Sequence, residues 1–350
     1  MFNLGVSAMK KSLIALAAVA ATGAAMAQSS VTLYGVADVG VGQIGDKGTG
    51  TIANPYDTTT GVLANSNLNN GNSRIGFRGV EDLGNGLKAS FQFEQAVSLA
   101  DGASSGFQRQ AWVGLSGGFG ALRAGRQNTP SYFGIASWEL TGAANYSANG
   151  LVFGYGNGGS SRDNALIQYI SPSVAGFKLH AGYIFEDQYK VSQDSKGKYD
   201  LALIYQNGPV AAAVTYNYSE FNDGWLVKAR NENASIGGSY DFGVAKLAAS
   251  YNYNDTDRLE GYSVGVAVPL GNFSLAVDAV YAETRDHLVA PGVWANANLD
   301  GVDVVVEAKY ALSKRTFVYG VYYRADEGGP KFGQHFTDEN NFGIGLRHNF

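Results

Sequence analysis

The last nine residues, FGIGLRHNF, alternate in character with a period of two. Phe342, Ile344, Leu346, His348 and Phe350 fall on one parity, and Gly343, Gly345, Arg347 and Asn349 on the other. Successive side chains of a β-strand point to opposite faces, so this stretch is a strand with one aromatic–aliphatic face and one polar or small face. The period recurs along the chain. VTLYGVADVGVG sets Val31, Leu33, Gly35, Ala37, Val39 and Val41 against Thr32, Tyr34 and Asp38, and LKASFQFEQA sets Leu87, Ala89, Phe91 and Phe93 against Lys88, Ser90, Gln92 and Glu94. VAAAVTYNYS separates Val210, Val214, Tyr216 and Tyr218 from Thr215, Asn217 and Ser219, and VDVVVEAKY separates Val302, Val304, Val306, Ala308 and Tyr310 from Asp303, Glu307 and Lys309. An amphipathic helix would space its apolar positions three and four apart.

Alternation alone also fits a soluble sandwich with one wet face. Three features favour a membrane. The segments run about ten residues, the length a tilted strand needs to cross hydrocarbon. Tyrosines stand near segment ends (Tyr251 and Tyr253, Tyr281, Tyr319 and Tyr323), where interfacial girdles are expected. Short turns also alternate with long connections. EDLGNG, GGFG, SPSVAG, NGPV, DFG, PLGN and LSKRT are turn-forming sequences, and between them lie polar stretches at 45–71, 98–106, 129–161, 187–198, 220–230, 254–259, 283–300 and 325–340. Eight loops and seven turns predict sixteen antiparallel strands. An even number returns the last strand beside the first and leaves no open edge. The fold expected is therefore all-β, a single 16-stranded transmembrane barrel with short turns on one side and long loops on the other.

The N-terminus fits export. Lys10 and Lys11 precede an apolar core from Leu13 to Ala21 and the triplet Ala25-Met26-Ala27, the layout of a signal peptide over 1–27 with the barrel domain over 28–350. The core is well short of the roughly 20 residues of a spanning helix; an uncleaved anchor is the alternative, and Met1 and Met9 both stand as starts. Without residues 1–27 the chain has 23 basic against 30 acidic side chains, a net charge of −7 that argues against nucleic acid. With no cysteine and four scattered histidines at 180, 287, 335 and 348, neither a disulfide framework nor a close-spaced metal site is indicated. Glycine (47) and tyrosine (21) are abundant beside 7 prolines, which suits twisted strands and tight turns. No cofactor is implied.

Five segments, QSSVTLYGVADVG, NSRIGFRGVEDLGNGLKASFQFE, RQAWVGLSGGFGALRAGRQ, RDNALIQYISPSVAGFKL and GIGLRHNF, together give a specific match. On these the chain resembles the general porins of Gram-negative bacteria, closest to those of β-proteobacteria. The resemblance implies an outer-membrane homotrimer of 16-stranded barrels embedded in lipid and lipopolysaccharide. It implies a water-filled path for small hydrophilic solutes and a third loop folded into the pore. It also implies that the terminal Phe350 is presented to the barrel assembly machinery.

The same resemblance places a basic wall at Arg74, Arg109 and Arg162, facing loop 129–161, TPSYFGIASWELTGAANYSANGLVFGYGNGGSS. That loop carries Tyr132, Phe133, Ile135, Trp138, Leu140 and Tyr146, apolar enough to pack against something, and Glu139 is its single acid, expected at the opening. Relatives often carry Pro-Glu-Phe-Gly here, whereas this chain has Pro130-Ser131-Tyr132-Phe133-Gly134. Alternation supports Arg74, which shares a parity with Gly76 and Arg78 while Ile75 and Phe77 take the other. A lipid-facing charge at mid-membrane would cost about 2–4 kcal/mol. Two arginines about 10 Å apart in a wet lumen repel by only about 0.4 kcal/mol. Parity does not decide Arg109, which falls with Ala111, Val113 and Leu115, nor Arg162 at a loop–strand border. Lys196 and Lys198 read as surface charges of loop 187–198.

Two other classes compete with the channel reading. A barrel hydrolase needs an activated serine with a histidine and an orienting group, and none of the four histidines stands in such a setting. An adhesin with a plugged barrel predicts long loops and no conductance. GYGNGGSS and GGFGALRAG match neither GxGxxG nor a phosphate loop.

Overall fold

The computed structural model describes residues 30–45, 58–155, 160–186, 188, 197–222, 228–255, 259–284, 287–290, 293–295, 299–326 and 340–350. The signal-peptide expectation over 1–27 lies outside these residues. The strands in chain order begin with β1 (Ser30–Gly45), β2 (Thr58–Leu63), β3 (Arg74–Gly84), β4 (Leu87–Ala96), β5 (Gln110–Gly117) and β6 (Gly120–Asn128). They continue with β7 (Arg162–Ile170), β8 (Phe177–Ile184), β9 (Lys198–Asn207), β10 (Val210–Asn222), β11 (Lys228–Asp241), β12 (Lys246–Asn254), β13 (Leu259–Leu270) and β14 (Phe273–Thr284). The chain finishes with β15 (His287–Ala290), β16 (Val293–Ala295), β17 (Leu299–Ala311), β18 (Thr316–Arg324) and β19 (Asn340–Asn349).

Sixteen of these, β1, β3–β14 and β17–β19, form one closed antiparallel barrel. Closure runs through β1. Its first half pairs with β3 from Ser30↔Val80 to Val36↔Arg74, and its second half pairs with β19 from Val36↔Asn349 to Gln43↔Phe342. The last residue locks the seam: Phe350 N donates to Gly35 O at 3.0 Å and Gly35 N to Phe350 O at 2.9 Å. A Cβ on Gly35 would meet the Phe350 ring at 2.3 Å, so the seam requires glycine there. Three strands were not foreseen in the loops. β2 extends the β1 edge beyond the reach of β3, and β15–β16 form a small separate hairpin. At the tight-turn end, Gly84, Asn85 and Gly86 all have positive φ, the conformation that glycine and asparagine tolerate best.

Outward and inward faces follow the sequence parity. Phe342, Ile344 and Leu346 are exposed on the outside, while Asn341, Gly343 and Gly345 are buried within. The girdle expectation needs one correction. Tyr319 and Tyr323 turn inward and are buried, because their hydroxyls donate to carboxylates inside the barrel, Asp38 (2.6 Å) and Asp303 (2.8 Å). In TFVYGVYYR both parities are apolar or aromatic, so the period does not say which tyrosines face lipid.

The buried apolar clusters lie inside the barrel, not between two layers. One gathers Leu68, Tyr146, Val152, Val280, Val305 and Tyr319; the other gathers Ile135, Trp138, Ala202, Ile204, Ala213 and Ala248. Both form where a connection folds back onto the inner wall.

Candidate pore constriction

The connection 129–161 is that folded element. Thr129 caps helix α1 (Pro130–Ala136), its hydroxyl accepting from Tyr132 N at 3.1 Å, with proline at the first position, where no N–H is needed. Burying this short helix on β9 and β10 takes polar anchors as well as apolar ones. Ser131 donates to Asp200 through N (2.9 Å) and Oγ (2.7 Å), and Asn217 Nδ2 donates to Ser131 Oγ at 3.2 Å. Small wall residues provide sockets. A Cβ on Gly237 would lie 2.3 Å from Trp138 Cε2, and one on Gly265 2.8 Å from Leu140 Cδ1. A second helix, α2 (Ala148–Val152), is tied to β12, where Asn149 Oδ1 accepts from Ser250 Oγ (3.2 Å) and Asn252 Nδ2 (2.9 Å).

Across from this loop lies a polar, water-accessible cavity of about 580 Å³. Arg74, Arg109 and Arg162 all line it, together with Arg347 and Glu94. Arg109 precedes β5, so its outward parity does not bind it; its Nε reaches Glu94 Oε1 at 2.7 Å, and Arg74 Nε stands 3.5 Å from Glu94 Oε2. Glu94 is positioned in turn by Tyr34, whose hydroxyl donates to Oε2 at 2.9 Å. Arg162 donates to Ser161 Oγ at 3.0 Å. Among the described residues, four guanidinium groups and one carboxylate thus line this cavity. Arg347 and Glu94 were not assigned to the site from sequence, although both lie on the polar parity of their strands, the signal that could have found them.

The first loop also enters the lumen. Asn70 and Asn72 line the cavity and join the third loop: Asn145 Nδ2 donates to Asn72 Oδ1 at 2.6 Å, and Asn70 Nδ2 to the Tyr146 hydroxyl at 2.7 Å. The Tyr146 hydroxyl donates onward to Glu307 Oε2 at 2.6 Å. Burial, with Glu307 beside it, pushes the Tyr146 phenol well above its ordinary range, so it remains a donor. Asn70 Oδ1 accepts from Arg347 at 2.6 Å, which carries the network to the basic wall.

Two expectations are corrected. Glu139 does not line the cavity; it is 4 % exposed, and its carboxylate accepts from Ala143 N at 2.6 Å and from the Thr141 hydroxyl, closing a turn within the loop. In a loop carrying a single acid, unpaired N–H groups compete for it, and here they win. Lys198 is not a surface charge. It is 1 % exposed at the start of β9 and pairs with Asp163 at 2.7 Å, while Lys196 lies outside the described residues.

Comparison with known proteins agrees with this fold. A family model described as Gram-negative porin matches residues 13–330. Outer membrane porin protein 32 of Delftia acidovorans is 35% identical over 328 residues, which cover 89% of this chain and 88% of the relative. Among solved structures, an anion-selective porin from Comamonas acidovorans superposes with a TM-score of 0.71 at 25% identity, covering 92% of this chain and all of that one. OmpT of Vibrio cholerae, in trimer form, gives 0.64 at 19% identity and supports the fold alone, with 92% of this chain and 99% of that chain covered. The chain belongs to the Gram-negative porin family, outer-membrane β-barrels that form channels for passive diffusion.

Proposed function

We propose that this porin narrows between Arg74, Arg109, Arg162 and Arg347 on one side and the first and third loops on the other, and that it favours small hydrophilic anions. The observation carrying the reading is the set of four guanidinium groups against Glu94 around one cavity. Fixed charge at a narrow point surrounded by a low-dielectric wall acts on every passing ion. The Comamonas protein described as anion-selective supports the same sign. The test is the reversal potential in a potassium chloride gradient. Changing Arg74, Arg109 and Arg162 together to glutamine should move permeability toward potassium. The shift should be larger at low salt, since screening falls from about 30 Å at 0.01 M to about 3 Å at 1 M. Lys314, exposed in the turn before β18, is the control, and its removal should do much less. Equal shifts per charge would place the arginines outside the narrowing.

The working unit is a homotrimer in lipid and lipopolysaccharide, reached by export through cleavage of residues 1–27. Phe350 is the mark read by the barrel assembly machinery, supported by its place at the seam, where the residue is 47 % exposed. Deleting Phe350 should sharply lower the amount of heat-modifiable trimer in the outer membrane while leaving export unchanged; normal trimer would refute that role.

A further inference from the structure

Beyond the constriction, on the tight-turn side of α1, the lumen holds a second cavity of about 410 Å³. It is bounded above by Phe133, Ala136 and Ser137 of the third loop, and its wall carries Arg123 from β6 with Lys178 and His180 from β8. The parity is clear: Leu122 and Leu179 are exposed on the outside, so the alternate positions face in.

None of the three polar groups is used up by the protein. Arg123 lies over the Trp112 ring at 4.4 Å, a contact that satisfies its face and leaves its N–H edge free. Room for it comes from Gly114, where a Cβ would lie 2.9 Å from Arg123 Cγ. Lys178 is exposed to the cavity. His180 is 6 % exposed and packs at a tilt against Phe133 with ring centroids 4.9 Å apart, and its buried Nδ1 has no hydrogen-bond partner. Among the described residues no acid lines this cavity, in contrast to the constriction, where Glu94 offsets part of the charge. Two cations two strands apart and an imidazole line one cavity, a set of donors better suited to a compact, doubly charged oxyanion than to chloride.

We propose that Arg123, Lys178 and His180 form a second solute subsite, selective for compact divalent oxyanions, on the tight-turn side of the constriction. It rests on the lumen being the solute path, and it gives an anion leaving the arginine wall a next site before the periplasm. Inorganic sulfate is the probe, added to either side of a planar bilayer while chloride current is recorded. Sulfate on the turn side should reduce the current saturably. The variant Lys178→Gln with His180→Gln should raise the half-blocking concentration about tenfold, roughly 1.4 kcal/mol, and Lys178→Arg should restore most of the effect. Arg74→Gln should leave the turn-side block in place. Should the double variant fail to assemble as heat-modifiable protein, Lys178→Gln alone gives the same test, because that side chain is exposed in the lumen. An unchanged block in these variants, or a block abolished by Arg74→Gln, overturns the subsite. Chloride current with no sulfate block also overturns it and leaves the channel intact, whereas absence of any current would instead overturn the channel reading.

Discussion

The inner wall has two halves built on the same period and filled in opposite ways. From β19 through β1 to β7 the inward positions carry long basic side chains open to water: Arg74, Arg78, Arg123, Arg162 and Arg347. From β9 to β17 many are small or acidic, with Ala213, Thr215, Gly237, Ser250, Gly265, Asp278 and Glu307, and the third loop covers these. An alternating strand requires only that its inward face not need lipid. One half meets that requirement with solvated charge, which water screens cheaply. The other meets it by hydrogen-bonding and packing to a returning loop. Charge is therefore free to act on solutes in the first half and is consumed by structure in the second.

The largest effect expected of this contrast comes from filling a socket. Gly237→Leu places a side chain where Trp138 lies 2.3 Å from the ideal Cβ, and overpacking of this kind costs about 1–3 kcal/mol. The loop can relieve the strain by lifting into the lumen, whereas the barrel strand cannot move without breaking ladder bonds on both sides. Single-channel recording should show an altered conductance with frequent substates, while the barrel remains heat-modifiable. A quiet channel of unchanged conductance would mean the loop is not held by its sockets.

Next in size is Glu94→Gln, which acts on the open half alone. It removes the one carboxylate among four guanidinium groups and keeps an acceptor for the Tyr34 hydroxyl. The reversal potential should move toward chloride, opposite to arginine removal and by less, since one charge changes where three did. A shift toward potassium would mean that Arg74 and Arg109, released from Glu94, leave the path.

The open half was largely legible in sequence and the covered half was not. Period two needs no partner to be read, so the strands, the outward faces and the inward side of Arg74 follow from residues alone. Arg109 lies just outside its strand, where parity stops meaning anything, and only the resemblance to porins pointed to it. Glu139 misled because a single acid in a loop looks like charge offered to solvent. Its fate depended on the Thr141 hydroxyl and Ala143 N–H, which become neighbours only after the chain turns. Tyr319 and Tyr323 misled for the same reason: their partners, Asp38 and Asp303, are distant in sequence. Side chains whose role is set by long-range partners leave no local signal.

The smallest effect should come from the covered half, at Tyr146. Tyr146→Phe keeps the ring, whose centroid lies 6.1 Å from that of Tyr319, and deletes only the hydroxyl between Asn70 and Glu307. Glu307 retains Lys309 at 2.8 Å, so it is not left bare. Losing a bond while leaving Asn70 Nδ2 unmatched costs about 1–3 kcal/mol, enough to loosen the join between the first and third loops without unseating either. Asn70 still accepts from Arg347 at 2.6 Å. Open-channel current noise should therefore rise while mean conductance and reversal potential stay close to their starting values, because no charge at the cavity has changed. A reversal shift as large as that of Glu94→Gln would break the comparison, since it would mean that the covered half sets the field at the opening through Asn70 and Arg347.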